Sequence, residues 1–341
     1  MSKKRKVTSR DVAALAGVSR SAVSRAFTPG ASISEKTKKK VLAIAAKLGY
    51  QPNVIARSLI MQQSRLIGIV MADWRNPFYA MMLKQFSEGL QAKGFQVILA
   101  TVNKEQDTDD AIKLLLQYQV DGVIIVSASP STMIAAACLQ RETPIVLLNR
   151  EASRIGASSV TCDAVDIGRR IARTLLDAGY ERLALLRGDS DREAGIQETE
   201  VIEKSLEDQG NARIVAQEAH IVSYDDGRNA IGRLMKNRIK PDAVICSSDV
   251  TAHGVLDGAL IDLGIDVPEK LGIFGFGDSA AATWGINRLT TVRLPIEEMI
   301  DMSIDILIKR LADPDIEPEN IVMCASVVER STVRKARAGN K

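Results

Sequence analysis

A recurrence in this chain leaves few folds open to it. Short unbroken apolar runs return along it: LIGIVMA from Leu66, FQVILAT from Phe95, VDGVIIVS from Val120, PIVLLN from Pro144, RLALLRG from Arg182, AVICSSD from Ala243 and LGIFGFGD from Leu271. Segments of helical length separate them, at 77–93, 107–119, 131–141, 164–178, 196–209, 227–238 and 251–263. A strand with no polar alternation must be covered on both faces, so these runs predict parallel sheets sandwiched by helices. Two sets with a break near 150–162 predict two α/β lobes. A long helix at 296–312 and a final strand within VMCASVVERSTV complete the body.

Residues 8–49 follow a different rule. Thr8 and Asp11 have capping-box spacing, and a helix from Ser9 to about Ala16 puts Val12, Leu15 and Ala16 on one face. Gly17 supplies a turn, Ser19 caps a second helix at 20–27, and Thr28-Pro29-Gly30 ends it. Ser34 caps a third helix that carries Val41, Ile44, Ala45 and Leu48 inward to Leu48, where Gly49 closes it. The second helix buries Ala22, Val23 and Ala26, which leaves Arg20, Ser21, Ser24 and Arg25 outward.

Charge says what such a surface meets. Residues 1–65 hold 14 Lys/Arg against 2 Asp/Glu, while the whole chain holds 45 against 42. A cationic head on an acidic body predicts a polyanion partner. Three short helices with a tight turn after the first form a helix-turn-helix unit, whose second helix lies in the DNA major groove. Arg20, Ser21, Ser24 and Arg25 then face base edges. Thr8, Ser19, Ser34, Lys36 and Lys38 face phosphates, with help from helix N-termini. KKRK at 3–6 is a phosphate-binding arm or a solvated tail.

Between head and body, Pro52 and Asn53 start a short helical pattern that carries Ala56, Arg57 and Leu59. An isolated helix of this length is marginal in water. It makes sense if it folds on DNA and wedges Leu59 between base steps of the minor groove; the alternative is a linker whose leucine packs on a domain.

Other classes are excluded by what the chain lacks. The four cysteines, at 138, 162, 246 and 324, have no metal-ligand spacing, and His220 and His253 pair with nothing, so neither a metal, a cofactor nor a disulfide framework is expected. MSKKRKV is followed by no apolar run, and no stretch approaches the ~20 residues of a membrane span. No nucleophile elbow, phosphate loop or dinucleotide fingerprint is present, which sets an α/β enzyme aside. A cytosolic sugar-binding module without a regulatory role is opposed by the basic head.

DVAALAGVSRSAVSRAF, SEKTKKKVLAIAAKLGYQPNVIARSL and SRLIGIVMADWRNPFY together resemble the lactose/galactose repressor family of bacterial transcription regulators. The resemblance covers almost the whole chain. It implies a helix-turn-helix headpiece at 1–51, a hinge helix or linker at 52–63, and a two-lobed periplasmic-binding-protein-like effector domain at 64–341. The first lobe takes about 64–160 and 295–318, the second about 161–294 and 319–334. It implies base readout at Arg20, Ser21 and Arg25, a hinge helix at about 53–61 with Leu59 as lever, and pairing of two hinge helices across a homodimer. The partners expected are pseudo-palindromic double-stranded operator DNA and a small-molecule effector of carbohydrate type. The setting expected is the bacterial cytoplasm, at the nucleoid. The tail ERSTVRKARAGNK has no leucine heptads, so no tetramerising coiled coil is expected.

Ligands of a parallel sheet sit beyond the carboxyl ends of its strands. That places Asp73, Phe78 and Tyr79 after the first strand, Ser127 after the third, Asn149 after the fourth and Asp163 at the opening of the second lobe. Arg192 lies in the loop after RLALLRG, Asp249 ends AVICSSD and Asp278 ends LGIFGFGD. Asp249 matches the family's N-D motif, here S-D. Arg192-Glu193-Ala194-Gly195 matches R-x-x-G after a short loop, and an ungapped alignment puts Glu198 there instead. The aromatic of the next crossing segment is Val222 or Tyr224 by position. Asp163 and Asp278 serve equally well as loop caps or ligand contacts. Met81, Met82 and Phe86 on helix 77–93 suit a dimer surface or the core.

Overall fold

The computed structural model describes residues 7–28, 30–51, 63–72, 77–102, 107–152, 156–188, 200–206, 208, 212–285 and 288–336. The chain divides into two units, Met1–Arg65 and Leu66–Lys341.

The first unit holds α1 (Ser9–Ala16), α2 (Arg20–Ala26) and α3 (Glu35–Leu48). Local chemistry sets every boundary. Thr8 and Asp11 cap α1 reciprocally, and Gly17 leaves it in the left-handed region at φ 64°. The hydroxyls of Ser19 and Ser34 accept from Ala22 N and Thr37 N, each at 3.2 Å. Gly49 ends α3 at φ 65°. The core is Val12, Ala13, Ala16, Val23, Ala26, Val41 and Ala45, with Phe27 and Tyr50 meeting edge-on at 5.9 Å. The expectation that Leu15 turns inward is corrected: it is 63% exposed and Ala13 is buried instead. At about 100° per residue, 12, 13 and 16 share one narrow arc and 15 falls outside it.

The second unit is a pair of six-stranded sheets. The first runs β11-β5-β4-β3-β1-β2 and the second β12-β10-β9-β8-β6-β7. The strands of the first are β1 (Leu66–Ala72), β2 (Gln96–Val102), β3 (Gly122–Val126), β4 (Ile145–Leu148), β5 (Ser158–Cys162) and β11 (Asn320–Met323). Those of the second are β6 (Arg182–Leu186), β7 (Arg213–Glu218), β8 (Ala243–Cys246), β9 (Gly272–Phe276), β10 (Thr290–Arg293) and β12 (Ser326–Val328). All pairings are parallel except β10 with β12. Between the strands lie α4 (Pro77–Ala92), α5 (Thr108–Gln117), α6 (Thr132–Leu139), α7 (Ala164–Asp177), α8 (Tyr224–Leu234), α9 (Asp249–Asp257) and α10 (Ile296–Ala312), with a π-helical turn at Gly258–Asp262 and a 3-10 turn at Ala280–Thr283.

The absence of polar alternation in the strands is explained by two-sided burial. In the first sheet Ile67, Ile69, Met71, Ile124 and Val126 join one apolar cluster, with Met82, Phe86, Ile300 and Ile304 from α4 and α10. Val70, Val123, Ile125 and Leu147 face the opposite way, onto Ile112, Leu115, Ile134 and Ala135 of α5 and α6. The second sheet divides its side chains likewise: Leu183 and Leu185 lie with Ile167 and Ile171, Ala184 and Leu186 with Ile231 and Val255.

Three expectations are corrected. The supposed break at 150–162 contains β5, a strand of the first sheet whose Ser158 and Ser159 are buried. Its polar composition hid it. VMCASVVERSTV belongs to no single strand: β11 pairs with β5 in the first sheet and β12 with β10 in the second, so 320–323 belong to the first lobe and not to the second. Helix α8 begins at Tyr224, not near 227, because Ser223 and Asp226 form a capping box before the apolar pattern starts.

These corrections fix where the chain crosses between the lobes. The chain passes between lobes after β5, after β10 and after β11, each time at a strand's carboxyl end. The carboxyl ends of both parallel sheets are thereby brought to the same hinge. The Asp163 amide donates to Met323 O at 3.0 Å and ties two of the three crossings together.

Candidate functional sites

On α2, Val23 and Ala26 are buried while Arg20, Ser21, Ser24 and Arg25 are exposed on the opposite side, as the sequence predicts. No acidic residue stands on this helix. Arg25 Nε donates to Ser21 O at 3.4 Å, and the hydroxyls of Ser19 and Ser21 are 2.8 Å apart. Thr8, Ser19 and Ser34 are engaged as caps: the Thr8 hydroxyl donates to Asp11 Oδ2 at 2.7 Å. Lys36 is exposed and Lys38 half-buried on α3. Asn53, Ala56, Arg57 and Leu59 lie outside the described residues, as does KKRK.

In the body, three of the sequence-selected residues share an unusual backbone. Ser127, Asn149 and Asp278 have φ of 57°, 58° and 46°, in the left-handed region that non-glycine residues seldom occupy. Each directly follows a strand or is one residue removed from it. Ser127 N still donates to Leu148 O and Asn149 N to Val160 O, so the sheet ladder runs on while the chain turns aside. Such positions cost on the order of 1–3 kcal/mol each and gather where a sheet presents a site.

Asp249, the first residue of α9, is only 2% exposed. Its Oδ1 accepts from the Thr291 hydroxyl and its Oδ2 from Ser279 N, both at 2.6 Å. Burial pushes its carboxyl above the ordinary range, and those hydrogen bonds offset part of the rise. Asp278 is held on both oxygens, by Arg330 Nη2 at 2.6 Å and by Arg293 Nε. Arg330 is itself 8% exposed and also donates to Leu289 O at 2.8 Å. Asp163 caps α7, accepting from Asp166 N at 3.0 Å.

Phe78 and Tyr79 open α4, half-buried and edge-on at 5.8 Å. Met82 and Phe86 belong to the core, and Met81 packs against it. Tyr224 donates to Asp257 at 2.6 Å, and Val222 lies near Gly188. Asp73, Arg192 and Glu198 lie outside the described residues. The structure adds Arg150, Arg187, Arg293 and Arg330 at or just past strand ends, and Thr291 within β10. The signal for Arg150 and Arg187 was present, since both follow apolar runs directly. For Thr291 and Arg330 no local signal existed. Among the described residues no group of His, Cys, Asp or Glu is placed to hold a metal ion, and no helix is long and apolar enough to cross a membrane.

Residues 8–53 match the model of the bacterial regulatory proteins, lacI family, and residues 172–333 that of the periplasmic binding protein-like domain. The HTH-type transcriptional regulator DegA of Bacillus subtilis (strain 168) is 30% identical over 302 residues, which span 86% of this chain and 88% of that protein. The chain belongs to the lacI family. The ribose operon repressor of Escherichia coli (strain K12) is 28% identical to this lacI-family chain over 333 residues, 95% of this chain and 99% of that one. A Lac repressor dimer bound to operator and the anti-inducer ONPF has the same fold, with a TM-score of 0.85 at 24% identity over 96% of this chain and 99% of that one. This lacI-family chain is thus a DNA-binding transcriptional regulator with a helix-turn-helix head and a two-lobed effector body of parallel sheets.

Proposed function

We propose that the chain is a repressor which binds a pseudo-palindromic operator as a homodimer and releases or tightens its hold when a carbohydrate-type effector enters between the lobes. The observation that carries this reading is the exposed face of α2. Four polar side chains, two of them arginines, stand clear of a core that needs none of them. Arg20 and Arg25 are the donors suited to guanine O6 and N7, with Ser21 and Ser24 beside them. Lys36 and Lys38 neutralise phosphates, and the helix N-termini capped by Thr8, Ser19 and Ser34 direct backbone N–H groups at them. Asn53, Ala56, Arg57 and Leu59 form the minor-groove element, with Leu59 as the wedge. A two-fold operator calls for a two-fold protein.

For the effector, the support is convergence. Ser127, Asn149, Asp163, Asp249 and Asp278 stand at strand ends on either side of one hinge, and Phe78 reaches across. Asp73 and Arg192 join them by sequence position. Asp249 acts chiefly by bracing: it joins the first turn of α9 to β10 and to the loop after β9, and so shapes the second-lobe wall. The chain performs no catalysis in this reading, and it works in the cytoplasm. Effector and operator are coupled by typically ~1–3 kcal/mol.

The test is selection of binding sites from a random duplex pool by the full-length protein. A two-fold motif whose half-sites lie about one helical turn apart supports the reading. Enrichment of no sequence, with or without small molecules, leaves a cytosolic binding module in its place.

A further inference from the structure

At the carboxyl ends of the two sheets the aspartates are engaged, while one arginine keeps an unmatched donor. Asp249 already accepts two protein hydrogen bonds, and Asp278 is held by Arg330 and Arg293. Asp163 gives one oxygen to the amide of Asp166. A neutral polyol offers a hydroxyl hydrogen for every oxygen, and its tight recognition needs spare acceptors as well as donors. The aspartates have much of that capacity engaged by the protein, which leaves Ser127, Asn149 and the second oxygen of Asp163 as the other acceptors among the described residues.

One charged donor, by contrast, is unmatched. Arg187 directly follows β6 and is half-buried. Its main chain is fixed from both sides: its N–H donates to Glu218 O at 2.8 Å, and its carbonyl accepts from Ile221 N at 2.9 Å. The sheet, rather than a loop, therefore sets its position. Yet its Nε is buried with no hydrogen-bond partner, and no ion pair holds it among the described residues. A buried donor left unmatched is costly, so this edge of a half-exposed guanidinium is open to an acceptor from an occupant. Arg150, after β4 in the other lobe, is buried and donates to the Ser127 carbonyl at 3.5 Å, so a second guanidinium stands at the first-lobe strand ends. The guanidinium fork matches the paired oxygens of a carboxylate or phosphate.

We propose that the effector is an anion: a small hydroxylated molecule, such as a sugar acid or sugar phosphate, whose charged group is taken by Arg187. This rests on the effector reading above and narrows its ligand class.

The full-length protein is titrated with matched triples by thermal shift and calorimetry: glucose, gluconate and glucose 6-phosphate; ribose, ribonate and ribose 5-phosphate. Inorganic phosphate and acetate serve as fragments. The expected result is that an acid or a phosphate raises Tm and binds about tenfold or more tighter than its neutral parent, with the two anionic arms telling carboxylate from phosphate. Arg187→Gln should lose about that factor while the apo protein melts no lower than the wild type. A neutral parent that binds as well as its anionic partners, and equally well to Arg187→Gln, overturns the anion and leaves the effector cleft standing. No binding by any member, charged or neutral, removes the cleft as a ligand site and the anion with it.

Discussion

Phe78 lies against Gly277. A methyl group built on that glycine falls 3.6 Å from Phe78 Cδ2 and 3.8 Å from Asp249 Oδ2. Phe78 opens a helix of the first lobe and Gly277 follows the last residue of β9 in the second, so one aromatic ring bridges the hinge beside the buried carboxylate. Phe78→Ala removes the bridge while leaving both sheets intact. The expected outcome is local: the amide of Ser279, which donates to Asp249, exchanges about tenfold faster, and the amides of β8 are unchanged, as suits an opening of the order of 1 kcal/mol. Uniform acceleration across the second lobe would reject a bridging role.

Asp249 makes stability depend on pH. Burial raises its carboxyl in the folded protein above the ordinary value, so the folded state holds this proton more firmly than the unfolded state does. Its contribution is therefore best when protonated, declines as pH rises from the ordinary carboxylate value to the raised one, and is flat above. Urea unfolding of the wild type and of Asp249→Asn, between about pH 4 and pH 7, should show this decline only in the wild type. Parallel curves would refute it.

Arg330 and Asp278 are both 8% exposed at the side chain, and Arg330 brings the chain's last strand region to the cleft. Removing one partner of a buried pair typically costs about 3–5 kcal/mol because the other charge stays behind; Arg293, which is exposed, moderates that here. Arg330→Met should therefore lower the urea midpoint strongly, and Asp278→Asn in the same chain should restore part of the loss. Simple additivity in that double-mutant cycle would show that the two side chains are not coupled.

Helices α8 and α9 cross at glycines. A methyl group on Gly254 would lie 2.0 Å from Tyr224 O, and one on Gly227 would lie 2.2 Å from Thr251 O. Backbone cannot yield as a side-chain tip can. Gly254→Ala should cost roughly 3 kcal/mol, the upper end of ordinary overpacking, whereas Gly232→Ala on α8, with open space around it, should leave the midpoint unchanged or raise it. Equal melting temperatures for the two variants would contradict the crossing geometry.

Arg20→Ala should relax base preference at one position of each half-site, by about 1–3 kcal/mol of discrimination, with the fold unaltered because Arg20 is exposed. Repeating the site selection with this variant checks it. An unchanged motif would move base readout elsewhere on α2.

Much of the architecture was written in local pattern. The capping pairs Thr8–Asp11, Ser19–Ala22 and Ser34–Thr37 set the ends of the head helices, and Gly17 and Gly49 turn out of them. The apolar runs became strands at nearly the expected residues, and helix 296–312 has the expected bounds. Failures came where burial is conferred by neighbours. SSVTC reads as a loop yet is a buried strand, since β4 and β11 cover its edges. Leu15 reads as core yet is exposed, because one residue's rotation moves it off the packed arc.

The candidate site divides along the same line. Residue order alone determined which polar groups stand at strand ends and which face α2 presents, since both follow from the period of the element that carries them. Which of those groups are already spoken for depends on long-range packing. Thr291 and Arg330 come from sequence positions 42 and 52 residues beyond the aspartates they bind. Hydrogen bonds and ion pairs over such separations depend on sheet order and lobe crossing, which no local pattern encodes.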